Sequence, residues 1–283
     1  MLIQTPDSLR PIANFHYPPY IKNYFEEWFY KYFSQHGLKT DRVYLPVFWT
    51  TYYINNGYAP SPEIQSFLDS LDKTKKYFTI IQYDDGILEN TTGLDLLVFS
   101  SAGRGDVTIP LYADGLDHIK PIPFDEKPII CSMIASNTHP IRKRLYDALK
   151  DVNGFYIKLD EKHDWETYID IVNKSKVVLS PRGYGIHSFR FYEALKLGCF
   201  PVYFTDKYEP NIEKVFCNEL IPYKLFKCYY TINTEINTLE DTKYISDSIN
   251  YYSNAAKQKP QNITYESIYT YIIYKLNAEY LHP

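Results

Sequence analysis

Glycine and cysteine are scarce in this sequence, at 11 and 4 of 283 residues. The cysteines, Cys131, Cys199, Cys217 and Cys228, form no CxxC pair and no zinc spacing, so a cysteine-ligated metal centre is excluded. They read as reduced thiols of a cytoplasmic chain, in which the sequons at Asn90 and Asn262 meet no glycosylation machinery. No block or stripe of basic residues is present and the formal net charge is -4, which argues against a nucleic-acid partner. No apolar run reaches the ~18–20 residues of a membrane helix, and residues 1–20 hold nothing that would serve as a signal peptide or anchor. There is no G-x-G-x-x-G and no GxxxxGK[ST], so neither a dinucleotide-dependent dehydrogenase nor a P-loop ATPase is supported. Internal repeats and low-complexity tracts are missing as well.

What the chain does have is enough length for two domains of roughly 100–150 residues. Its 30 Tyr and 16 Phe suit core and half-buried surface, because a tyrosine buries a large ring and keeps its hydroxyl wet. An AT-rich genome gives the same bias, so this richness says little about function.

Short apolar runs alternate with helical patterns almost throughout, the mark of α/β layering. In the first half the expected strands are Arg42 to Phe48, Tyr77 to Gln82, Leu94 to Phe99 and Val107 to Leu111, with helices at Ile21 to His36 and Pro62 to Leu71. Tyr112 to Lys127, rich in Asp, Gly and Pro, reads as an interdomain linker. It divides the chain into domains over 1–120 and 121–260, with a helical tail over 261–283 beyond a polar gap at Lys257 to Gln261. In the second domain, strands at Pro128 to Ala135, Phe155 to Leu159, Lys176 to Leu179 and Phe200 to Phe204 alternate with helices at His139 to Lys150, Trp165 to Asn173 and Ser188 to Leu197. That order implies a parallel sheet with right-handed crossovers.

The segment richest in chemistry is Ser175 to Asp206, SKVVLSPRGYGIHSFRFYEALKLGCFPVYFTD. After the buried strand, Pro181, Gly183 and Gly185 make a turn whose backbone can approach a ligand closely, with Tyr184 in the same turn. The helix that begins near Ser188 offers unpaired N–H groups and partial positive charge, which suit a diphosphate. Arg182 and Arg190 add forked donors beside it. Glu193, one turn further in and on the same flank as His187 and Arg190, can accept hydrogen bonds from ribose hydroxyls. Two arginines oppose the dipole of a helix start and are tolerable there if an anion sits between them.

Pro181-Arg182-Gly183, then Ser188-x-Arg190-x-x-Glu193-Ala194-Leu195, then Gly198-Cys199-x-Pro201-Val202 resembles the C-terminal signature of exostosin-type glycosyltransferases. The resemblance implies an α/β protein of GT-B type, with two Rossmann-like domains facing across a cleft, and transfer with inversion from a UDP-sugar. It puts Arg190 and Glu193 where that family binds the donor nucleotide, with Arg182 close by. Lys127 to Leu149 is similar to the opening of the family's donor domain, where a strand leads through a loop, here at Ser136, to an Arg-bearing helix beneath the diphosphate; Arg142 or Arg144 would be that arginine. Many members are longer and anchored. A compact soluble chain fits those encoded by large DNA viruses, which lean toward UDP-xylose or another small UDP-sugar. The implied partners are a UDP-sugar donor and a glycan acceptor.

Inverting transfer needs a carboxylate or imidazole to take the proton of the acceptor hydroxyl. Asp85 and Asp84, after the strand Tyr77 to Gln82, are the first candidates; Asp114 occupies a similar loop, and His16 sits in a proline-stiffened segment. DDG is also a common turn. Adjacent aspartates lack the Asp-x-Asp spacing of a metal-binding transferase, so no obligatory metal is expected. A GDP-sugar enzyme of the fucosyltransferase type is a second reading, from Ser136-Asn137 followed by Arg142. A non-catalytic carbohydrate-binding protein, stacking sugars on tyrosines or on Trp28, Trp49 and Trp165, is a third.

Overall fold

The computed structural model describes residues 5–18, 20–37, 40–111, 114–205, 230–231, 245–247, 249–250, 254 and 264–278. The chain divides into two compact units, one from the described residues up to Gly115 together with 264–278, the other from Leu116 onward through the second sheet. Both are α/β with parallel sheets, as the alternating pattern predicts.

In the first unit, α1 (Phe25–His36) sets Phe25, Phe29 and Phe33 on its buried stripe and stops at Gly37, whose φ of 65° lets its N–H reach the Phe33 carbonyl at 2.8 Å. The sheet runs β1 (Val43–Tyr44), β2 (Lys76–Ile81), β3 (Asp95–Ser100) and β4 (Val107–Thr108), all parallel. Between β1 and β2 lie α2 (Trp49–Asn55) and α3 (Pro62–Asp69). Ser61 caps α3 by accepting the N–H groups of Glu63 and Ile64, with Pro62 at the first helical position.

Three expectations need correction here. The strands expected at Arg42 to Phe48 and Val107 to Leu111 pair over only two residues each, because Pro46 and Pro110 cannot donate to a ladder. The helix expected from Ile21 begins at Phe25. And α2, all β-branched, aromatic and polar, gave no helical signal; its buried contacts hold it, with Trp49 Nε1 donating to Thr79 Oγ1 at 2.9 Å.

In the second unit the sheet order is β6-β5-β7-β8-β9, from β5 (Ile129–Ala135), β6 (Phe155–Leu159), β7 (Ser175–Pro181), β8 (Phe200–Thr205) and β9 (Tyr230–Thr231). Helices α4 (Pro140–Leu149), α5 (Trp165–Asn173) and α6 (Phe189–Lys196) connect the first four strands in turn. The direction of winding therefore reverses between β5 and β7, and the crevice at such a reversal is where open α/β sheets bind ligands. Met133, Val177, Leu179 and Val202 fill the core beneath it.

The stretch expected as a linker is more ordered than that: two short 3-10 turns carry buried Leu116 and Phe124, and Lys127 is buried too. The Lys127 ammonium donates to the carbonyls of Asn173 at 2.5 Å and Leu197 at 3.1 Å, the carboxyl ends of α5 and α6. The tail helix α7 (Tyr265–Ala278) packs in the first unit, where Tyr269 meets Trp28, Phe29 and Tyr32 and donates to the Gly37 carbonyl at 2.9 Å. The polar gap at Lys257 to Gln261, the sequon at Asn262, Cys217, Cys228 and the tail beyond Ala278 lie outside the described residues. Cys131 and Cys199 are buried free thiols. No described helix is long and apolar enough to cross a membrane.

Candidate functional site

The reversal point of the second sheet gathers most of the expected donor-side residues. Arg142, in the first turn of α4, spans the crevice: its Nε donates to the Arg182 carbonyl at 3.0 Å, Nη1 to the Ser136 carbonyl at 3.0 Å and Nη2 to the Pro181 carbonyl at 3.4 Å. It thus ties the loop after β5 to the loop after β7. Gly183 fits against it with no room to spare, since a Cβ there would meet Arg142 Nη2 at 2.5 Å. Tyr184, beside it, is 72% exposed. Ser136 is exposed and contributes its backbone to this tie.

Arg190 rises from the first turn of α6 and donates from Nη2 to the Ile134 carbonyl near the end of β5. Its Nε and Nη1 are buried and have no hydrogen-bond partner among the described residues. Buried guanidinium donors are costly to leave unmet, so this pair of nitrogens asks for an acceptor. Ser180 Oγ, at the end of β7, is buried and unmet in the same way. Ser188 occupies the N-cap of α6 but its side chain caps nothing; the Phe191 N–H turns back to the Ser188 carbonyl at 3.1 Å, and the N–H groups ahead of it have no side-chain cap.

Glu193 is nearly fully buried, and Tyr168 of α5 donates its hydroxyl proton to Glu193 Oε2. Burial, and then the Glu193 carboxylate, hold the Tyr168 phenol well above its ordinary range, so it stays a donor. The sequence reading missed Tyr168; its one signal is the Trp165-x-x-Tyr168 spacing, which puts both on one face of α5. His187 precedes α6 instead of sharing its flank, and burial pushes its imidazole down to about 3, which keeps it neutral. A cavity of about 480 Å³ opens at the start of α4, lined by Asn137, Thr138, His139, Pro140, Lys143 and Arg144.

The base candidates lie in the first unit. Asp84 and Asp85 form the corner of a reverse turn closed by the Gly86 N–H on the Tyr83 carbonyl at 3.1 Å. His16 sits at the start of α1, its Nε2 3.3 Å from Glu27 Oε2. Sequence reasoning passed over the neighbouring acids. Glu26 is buried and accepts from Thr50 N, Thr50 Oγ1 and Gln82 N, while Glu27 accepts from Thr51 Oγ1 at 2.8 Å. A pair of acids in a first helical turn reads as dipole compensation; the available clue was that Glu26 shares the stripe of Phe29 and Phe33.

Residues 127–263 match the RXYLT1 C-terminal domain. The matched stretch holds every residue of the crevice described above, from Arg142 through Tyr168 and Arg182 to Glu193. That family is xylosyltransferase-like, so the match gives residues 127–263 a glycosyltransferase-like character. Parallel Rossmann-like sheets together with the RXYLT1 match fit the GT-B glycosyltransferase fold. A comparison with curated proteins gave no match.

Proposed function

We propose that the chain is an inverting, exostosin-like glycosyltransferase that moves a sugar, xylose first among the candidates, from a UDP-sugar to a hydroxyl of a glycan acceptor. The observation that carries this reading is Arg190, with two buried nitrogens unmet at the crevice of a domain similar to a glycosyltransferase family. As the bond from the anomeric carbon to the diphosphate breaks, negative charge grows on the leaving oxygen. Arg190, Arg182 and the N–H groups at the start of α6 offset it, which leaves no step that requires a metal. Arg142 and Gly183 shape the loop around the diphosphate, with Tyr184 and Ser136 at its rim. Glu193 offers a carboxylate oxygen to a ribose hydroxyl, and Tyr168 holds Glu193 Oε2 in place. Asp85, Asp84 and His16 are the groups proposed for the acceptor's proton.

Melting curves with UDP and with GDP test the nucleotide. At a hundredfold excess over Kd, UDP adds about 2–3 kcal/mol of stability and GDP adds none. A panel of UDP-sugars then ranks the donors by hydrolysis, with UDP-xylose expected first. GDP raising the melting point in place of UDP would replace this reading with a fucosyltransferase-like one.

A further inference from the structure

The split between β5 and β7 holds a buried hydroxyl that the fold does not use. The two strands pair at Ile129–Ser175, Cys131–Val177 and Ser132–Val178, and part beyond that point. Their outer pairings run on: β5 follows β6 as far as Ala135–Leu159, and β7 follows β8 as far as Pro181–Phe204. Two residues past the last shared pair stand Ile134 on one lip and Ser180 on the other.

Side chains alternate along a strand, so Ser132 and Ile134 of β5 share one face of the sheet with Val178 and Ser180 of β7. Val178 packs in one apolar cluster with Ile169 and Val172 of α5 and Ala194 of α6, so these two helices cover that face. Arg190 reaches in from α6 on the same side, and its bond to the Ile134 carbonyl sets the guanidinium over the split. Arg142 comes from the opposite face, where Ile141 and Leu145 of α4 pack with Met133 and Leu179. It is spent on the carbonyls of Ser136, Pro181 and Arg182.

Ser180 is fully buried, and its Oγ has no hydrogen-bond partner among the described residues. Its register partner on β8, Tyr203, gives its own hydroxyl proton to the Ile186 carbonyl. A strand that runs Val177-Val178-Leu179 would pack as well with alanine or valine at 180, and a hydroxyl there loses its hydration for no structural return. Nε and Nη1 of Arg190 are buried and unmet beside it. One hydroxyl and two guanidinium nitrogens, all shielded and all able to donate, thus belong to the same split. Donors without an acceptor among them suit a group of charged, unshared oxygens. A sugar hydroxyl must donate as well as accept, and a guanidinium accepts nothing.

We propose that Ser180 is a phosphate-binding residue, which together with Arg190 holds a phosphoryl group of the donor's diphosphate in the split between β5 and β7. The inference rests on the transferase reading above and adds to it a strand residue that no charge or glycine marks. Ser180 Oγ donates to a phosphoryl oxygen from the sheet side while Arg190 donates from the helix side. Ser132 is buried and unmet as well, but it lies one step lower, where the strands still pair, and it serves as the internal control.

Calorimetry of the full chain with UDP, and displacement of UDP by pyrophosphate and by uridine, tests the assignment. Ser180→Ala removes one oxygen and no carbon, so the melting temperature is expected to hold. Affinity for UDP and for pyrophosphate should each fall about tenfold or more, as for a lost hydrogen bond to a charged group, while that for uridine stays unchanged. Ser132→Ala should leave all three affinities as they are. A Ser180→Ala protein that binds UDP as tightly as the wild type, which an internal water on Oγ would give, overturns the proposal. An equal loss for uridine also overturns it, because the hydroxyl would then support the fold instead of reading phosphate. Binding of GDP in place of UDP ends the UDP reading alone, and the same comparison with GDP, pyrophosphate and guanosine then judges Ser180. Binding of neither nucleotide overturns both.

Discussion

Glu26 offers a direct check of the packing around the first sheet. Its carboxyl is fully buried, and burial pushes it from an ordinary 4.5 up to about 8 against three donors, Thr50 N, Thr50 Oγ1 and Gln82 N. The folded chain therefore keeps this proton where the unfolded chain has lost it. The resulting stability is complete below about pH 4.5 and is lost as pH rises through about 8. That interval, at about 1.4 kcal/mol per pH unit, corresponds to about 5 kcal/mol at most. His187 acts in the opposite sense: burial lowers it from 6.5 to about 3, so its share of stability is present above 6.5 and lost as pH falls toward 3. A single stability–pH curve mixes the two, and Glu26→Gln separates them. The glutamine carbonyl can keep the Oε1 hydrogen bonds to Thr50 and Gln82, while the side chain no longer titrates. Urea unfolding of both proteins between about pH 5 and 8 should show the wild type losing stability relative to Glu26→Gln by ~1 kcal/mol or more per unit. A difference that is flat with pH, or that grows in favour of the wild type, would refute an uncharged carboxyl at this position.

Other outcomes follow from the crevice. Gly183→Ala places a Cβ 2.5 Å from Arg142 Nη2; the guanidinium must leave its carbonyls, and UDP-sugar hydrolysis should drop at least about tenfold with little change in melting temperature. Arg190→Ala should cost about 2–3 kcal/mol in transition-state stabilisation, read from kcat/KM for donor hydrolysis. Tyr168→Phe removes the donor to Glu193 and should weaken UDP binding by about 1–2 kcal/mol, measured by calorimetry. Turnover in excess EDTA should stay within about twofold of the untreated rate, because arginines and a helix start offset the leaving charge.

The second unit was legible almost strand by strand. Its strands are continuous apolar runs bounded by turns, and a parallel sheet covered on both faces demands that pattern. The turn after β7 was legible as a turn because Pro181, Gly183 and Gly185 cluster there. The first unit was harder for the same physical reason in reverse. Its strands are cut short by Pro46 and Pro110, and α2 is held by burial against propensity, so local pattern and tertiary packing disagree. The pairing of Tyr168 with Glu193, and of Glu27 with His16, joins side chains on different elements, which no spacing rule encodes.

Lys127 has a reach beyond its own surroundings. One ammonium grips the ends of α5 and α6, and those two helices carry Tyr168 on one side and Arg190 and Glu193 on the other. It acts as a clasp that sets the spacing of the two helices from behind the crevice. A lesion at this lysine would then disturb the crevice without altering any side chain that lines it, and a melting curve would trace the damage to the clasp.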